Sequence, residues 1–133
     1  MRRMLLAASL LAALASASPA QEADIQATID GQLDRFAKDD FPGAFEFASP
    51  TLQQLFRTPE NFRRMVTQGY PMVWRYGDVR FLELRETDGS FWQKVMITDL
   101  EGRVHILDYR MLETAEGWRI NGVQILDSSE FNV

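Results

Sequence analysis

The sequence predicts an α+β fold, with helices first and then an antiparallel β-sheet for them to cover. Two observations carry that reading. Apolar residues recur at helical spacing as far as Gly69 and alternate after Pro71. The alternating half is divided by turn signals at Asp88-Gly89, Leu100-Glu101-Gly102 and Ala115-Glu116-Gly117. Helical segments followed by strands, rather than interleaved with them, give the α+β order.

Ahead of these elements lies an expected export signal over residues 1–20. Arg2 and Arg3 form a positive start, and Met4 to Ala15 is an apolar stretch rich in Leu and Ala. Ala15-Ser16-Ala17 and Ser18-Pro19-Ala20 each fit the small-x-small cleavage rule. Cleavage after Ala20 is expected, because cleavage after Ala17 would leave Pro19 second in the mature chain. The apolar stretch is too short to span a bilayer, and no Cys follows to carry a lipid. The expectation is a soluble domain over residues 21–133, in the periplasm of a Gram-negative bacterium.

The chain has no cysteine, so disulfides, thiol catalysis and thiolate metal sites are excluded. Its net charge of −5 becomes more acidic once Arg2 and Arg3 leave, which argues against nucleic acid as a partner. Basic residues are nonetheless concentrated: Arg57, Arg63, Arg64, Arg75, Arg80 and Arg85 face only Glu60, Asp78 and Glu83 over the same stretch. Solvated arginines on a helix and a strand are the expected explanation, with an anion or carboxylate site as the alternative.

Ile25, Ile29, Leu33 and Phe36 give the first helix one apolar face, ending near Lys38. Asp40 before Phe41-Pro42 starts a short second helix by capping, with Phe41, Ala44, Phe45 and Ala48 inward. Ser49-Pro50 interrupts, and Leu52, Leu55 and Phe56 continue as another turn or two. Thr58-Pro59-Glu60 opens a further helix carrying Phe62, Met65 and Val66, with Gly69 as its stop beyond the last turn. Strands follow over 79–86, 91–99, 104–113 and 118–126, with 73–76 a short extra one.

The turns propose a register. A two-residue turn at Asp88-Gly89 sets Ser90 against Thr87 and Val95 against Leu82. A three-residue loop with Gly102 left-handed sets Asp99 against Arg103 and Val95 against Leu107. One face then carries Leu82, Leu84, Phe91, Val95, Ile97, Leu107 and Met111 for the helices to cover. The other gains a row Glu83, Lys94, Asp108, a row Arg85, Trp92, Arg110 and a row Phe81, Met96, Ile106. Opposite charges and Arg over Trp are favourable cross-strand neighbours. Gly122 is a place for a bulge in the last strand.

The order of a helix, Asp39-Asp40, a short Phe45-containing helix ending at Ser49-Pro50, a further helix and a twisted sheet closing on Glu116-Gly117-Trp118-Arg119-Ile120 resembles the nuclear transport factor 2-like (cystatin-like) superfamily. More narrowly, Phe47-Ala48-Ser49-Pro50, the run Phe56 to Phe62, and Met65-Val66 through Gly69-Tyr70-Pro71 to Trp74-Arg75 resemble a bacterial exported family, domain of unknown function 4864. The resemblance implies a cone, helices closing over a curved sheet, often around a cavity. It implies no activity, because the superfamily holds isomerases, dehydratases, hydrolases and binding modules alike.

Candidate pocket residues are Gln93, His105 and Tyr109 on the covered face, with Tyr70, Trp74 and Arg75 at the mouth. His105 is the sole histidine and reads as a general base, a ligand contact or a rim histidine bonded to backbone. Gln93 and Tyr109, opposite each other, must bond each other or something in the cavity. Arg75 is placed to hold a carboxylate. No catalytic residue, metal set or cofactor motif is carried by the sequence. Phe81, Trp92, Met96 and Ile106 on the outer face are interface candidates, either for a homodimer or for the chain's own Asp127 to Val133 segment with Phe131. The expected function is a non-catalytic binding or interaction module for a small apolar or amphipathic ligand or a protein partner. The alternative is a cofactor-free isomerase- or dehydratase-type enzyme in the same cavity.

Overall fold

The computed structural model describes residues 17–126. Its elements are α1 (Pro19–Ala37), α2 (Phe41–Phe45), α3 (Pro50–Phe56), α4 (Pro59–Gly69), α5 (Pro71–Trp74), β1 (Tyr76–Thr87), β2 (Ser90–Asp99), β3 (Val104–Thr114) and β4 (Gly117–Ile125). The strands form an antiparallel, curved, open sheet in the order β1-β2-β3-β4, and the helices cover one face. The α+β architecture is the one the sequence predicts. The Asp127 to Val133 segment and the apolar part of the expected export signal lie outside the described residues.

Each helix carries a proline in its first turn, where the missing N–H costs nothing. Four have side-chain caps. Ser18 and Gln21 form a reciprocal capping box at α1, with Gln21 N–H donating to Ser18 Oγ (3.1 Å) and Ser18 N–H to Gln21 Oε1 (2.9 Å). Asp40, Ser49 and Thr58 cap α2, α3 and α4 by accepting the N–H of Gly43, Leu52 and Asn61. At Gly43 a Cβ would sit 2.2 Å from Asp40 Oδ2, so the α2 cap requires glycine. Ile25, Ile29, Leu33 and Phe36 are all buried, each contributing roughly 1.5–3 kcal/mol by leaving water. The bond expected to be cleaved, Ala20–Gln21, falls inside the first turn of α1.

Two local expectations change at the end of the helical half. Gly69 is the last residue of α4 rather than its stop, with Tyr70 as the cap. Residues Val73 to Tyr76 do not form a separate strand. Pro71 opens the single turn α5, which buries Met72 and Val73, and β1 begins at Tyr76. Four residues are too few for their period to separate a strand from a helical turn.

In the sheet, Thr87 faces Ser90 as expected. The β2–β3 register also follows the sequence reading, with Val95 opposite Leu107, Lys94 opposite Asp108, Trp92 opposite Arg110 and Met96 opposite Ile106. The β1–β2 register departs from it. A bulge between Phe81 and Leu84 sets Val95 against Phe81, not Leu82. Phe81 therefore turns toward the helices and packs against the core with Val79 and Leu84, which removes it from the outer face. The cause is Gln93, fully buried, whose Nε2 donates to the carbonyls of Leu82 (3.0 Å), Glu83 (3.4 Å) and Lys94 (2.9 Å). That amide stabilises the carbonyls of a bulge that would otherwise be left poorly paired in an apolar interior.

A second bulge lies in β4, where Arg110 faces Gly122 and Met111 faces Ile120, leaving Asn121 extra. The helical layer is fastened there. Ala48 and Ile120 form a parallel bridge, built from Ser49 N–H to Ile120 O (2.8 Å) and Ile120 N–H to Phe47 O (2.8 Å). Ser49 Oγ also donates to Asn121 Oδ1 (2.7 Å) while capping α3.

The α1 cap gives a test of its own. A chain beginning at Ser18 is expected to be more stable than one beginning at Gln21 by about 1 kcal/mol, the usual worth of an N-cap. Urea unfolding of the two chains measures the difference, and equal midpoints would remove the capping box from the account.

Candidate functional site

Behind the Ser49 clasp the helices do not close fully on the sheet. A cavity of about 290 Å³ remains, walled by Phe36, Leu52, Phe56, Phe62, Met65 and Tyr70 from the helical half and by Tyr109, Ile120 and Val123 from the sheet. Its size sits at the small end of ligand pockets, about 300–1,000 Å³. The β4 bulge shapes it, because skipping Asn121 brings Val123 onto the inner face opposite Tyr109.

Three polar side chains reach its wall. Tyr109 is 1% exposed, and its hydroxyl has no hydrogen-bond partner among the described residues. Burial, with a contribution from Tyr70, pushes its pKa far above the ordinary tyrosine value, so it remains a neutral donor. Tyr70 closes the same space and donates its own hydroxyl to Val123 O (2.8 Å). Gln32, 5% exposed, gives one N–H to Ala44 O (3.2 Å) and brings the rest of its amide to the wall. Among the described residues no carboxylate, imidazole, ammonium or guanidinium lines the cavity.

The six pocket candidates are dispersed rather than gathered. Tyr70 and Tyr109 line the cavity together. Gln93 shares the inner face but is committed to the β1 bulge. It does not bond Tyr109, and its Oε1 is buried without a partner. His105, opposite Ile97, lies at the far end of the sheet with Nε2 2.9 Å from Asp99 Oδ2. Trp74 and Arg75 form a separate knot. Asp39, in the left-handed region at φ 54°, accepts from Trp74 Nε1 (2.7 Å) and Arg75 Nη2 (3.0 Å). The Arg75 guanidinium stacks 4.0 Å from the Trp74 ring centroid. Its charge is thus already matched by a carboxylate, and those two hydrogen bonds lower the pKa of Asp39.

The sequence reading missed Gln32, Leu52, Phe56 and Met65 as wall residues. Gln32 had a usable signal, since it lies seven residues after Ile25 and three after Ile29, on the buried face of α1.

On the outer face Trp92, Met96 and Ile106 are half-buried, and Arg110 lies 5.9 Å from the Trp92 ring centroid. Lys94 pairs with Glu83 (2.9 Å). Asp108, buried beside it, takes both guanidinium nitrogens of Arg85 (3.2 and 2.7 Å). These contacts commit Asp108 to the fold. Among the described residues no three His, Asp or Glu side chains converge as a metal site would need, and no helix is long and apolar enough to cross a membrane.

The chain belongs to the family described as domain of unknown function DUF4864, whose model matches residues 18–133. No curated protein and no solved structure matches it.

The Asp99–His105 pair has an acid-side signature. The His105 hydrogen bond lowers the Asp99 pKa below its usual 3.8, helped by the N–H groups of Arg103 and Glu101. A carboxylate depressed on folding contributes stability above its unfolded pKa and loses it as pH falls through the folded one. Asp99→Asn is therefore expected to lower stability at neutral pH and to flatten the acid limb below about pH 4. Urea midpoints across pH 2–7 check this, and parallel curves for the two proteins would rule the pair out as a contributor.

Proposed function

We propose that the protein is an exported, non-catalytic binding module that holds a small, largely apolar molecule in the cavity between α1, α3, α4 and the β3–β4 half of the sheet. The single observation supporting this is a partly open apolar space walled in part by Tyr109, whose hydroxyl bonds no described residue. Native interiors are close-packed and their buried polar groups are paired. An apolar space of this size that leaves a hydroxyl free to bond an occupant is the pattern of a ligand site.

The cone also fits a nuclear transport factor 2-like fold, and we offer that kinship on the element order and the cavity. Export rests on the basic start and apolar stretch of the first residues. The composition of the wall weighs against the isomerase or dehydratase alternative. General acid–base chemistry needs a group that can take or give a proton near neutral pH. The Asp99–His105 pair stands away from the cavity, and Tyr109 holds its proton too tightly to act as a base.

Native mass spectrometry of the protein recovered from its own periplasm tests both halves. The expected result is a processed chain carrying a small non-covalent adduct. Val123→Phe, which fills the cavity from β4 without changing the Tyr70 bond to the backbone, is expected to keep the fold and lose the adduct. An unprocessed chain would contradict export. A wild type without adduct, or an adduct that survives Val123→Phe, would contradict the cavity.

A further inference from the structure

Resting on that cavity reading, we propose that the ligand is an uncharged molecule with an acceptor oxygen, a ketone, ester or ether, which takes its hydrogen bond from the Tyr109 hydroxyl while its apolar body lies against Phe36, Phe56 and Phe62.

The argument begins with charge. Every described side chain on the wall is neutral, so a carboxylate, phosphate or ammonium entering the cavity would lose its hydration shell with no counter-charge among the described residues to replace it. Burying an unpaired ion is far more costly than burying a neutral polar group. Arginines do stand on the same helical half, but none reaches this space. Arg63 lies over the Phe41 ring, Arg64 bonds Asn61 and Arg75 is held by Asp39. Charged ligands are excluded by the wall itself.

The second step concerns which polar group the ligand carries. Tyr70 has spent its proton on the Val123 carbonyl, and one N–H of Gln32 is spent on Ala44. Tyr109 has spent nothing, and its hydroxyl stays protonated at every physiological pH. A phenol in that state is a donor seeking an acceptor. A pure hydrocarbon would fill the space but leave that donor buried and unpaired. An acceptor oxygen satisfies it and is discriminated from the hydrocarbon by that bond alone.

The shape of the wall supplies the rest. Phe36, Phe56, Phe62, Tyr70 and Tyr109 make it aromatic, and Phe36–Phe62 and Phe56–Phe62 each pack at 5.8 Å between ring centroids. An aromatic or branched ketone matches such a wall better than a straight aliphatic chain.

The test uses three probes of nearly one shape: acetophenone, isopropylbenzene and benzoate. They are titrated into the mature protein and into Tyr109→Phe at neutral pH, followed by NMR shifts of backbone amides. Isopropylbenzene controls for apolar fit, so the informative quantity is the acetophenone-to-isopropylbenzene affinity ratio. Tyr109→Phe is expected to lower that ratio about tenfold, the upper range for one neutral hydrogen bond, and benzoate is expected to bind wild type at least tenfold more weakly than acetophenone. An unchanged ratio with isopropylbenzene still bound would overturn the ligand class and leave the cavity reading standing. Benzoate binding as tightly as acetophenone would do the same, and needs no variant. If neither acetophenone nor isopropylbenzene binds, the cavity reading falls and this inference falls with it.

Discussion

The structure depends on the polar fastening between helices and sheet at the buried Ser49. It caps α3 through Leu52 N–H, donates to Asn121 in the β4 bulge, and its own N–H completes a bridge to Ile120. Ser49 itself is fully buried, so each lost bond would leave its side chain or backbone poorly satisfied. The clasp fixes how far α3 stands from the sheet. With the helix pinned at its start, Leu52 and Phe56 become the wall of a space rather than its filling.

That placement gives the cavity its chemistry. The clasp consumes the polar groups of the 47–49 segment and of Asn121, and the Asp39 knot consumes Arg75 and the Trp74 indole. What remains facing the space is apolar, apart from two phenols and an amide. The fold thus sorts its charges outward, to Arg85–Asp108 and Lys94–Glu83 on the far face of the sheet, and leaves the interior with a donor that cannot ionise. Such an interior suits holding a molecule better than transforming it.

Much of the fold was legible because its signals are local. Asp40, Ser49 and Thr58, each before a proline turn, mark helix starts by chemistry that operates within four residues. Asp88-Gly89 and the Gly102 loop fix pairings for the same reason, and the β2–β3 register followed. The β1 bulge was not legible. Nothing in Leu82-Glu83 announces it, since it is held by a glutamine ten residues away whose amide reaches back across the sheet. Phe81 changed faces on that account. Tyr109 could be placed on the covered face from register alone, and Gln32 from the helical period of α1, whereas the walls at Leu52 and Phe56 depend on where the clasp sets α3, which is a tertiary fact. The Phe47-Ala48-Ser49-Pro50 motif carried family resemblance in the sequence, and its physical work became visible only with Asn121 beside it.

The central claim is that the clasp holds open a ligand space around an unpaired Tyr109 hydroxyl. The most direct measurement is a crystal structure of the protein purified from its native source without added ligand. The account predicts density in the cavity for one small molecule, with an oxygen within hydrogen-bond distance of Tyr109 Oη and the Ser49–Asn121 bond in place. A cavity closed by Leu52, Phe56 and Met65, with Tyr109 Oη bonded to a protein group, would contradict it.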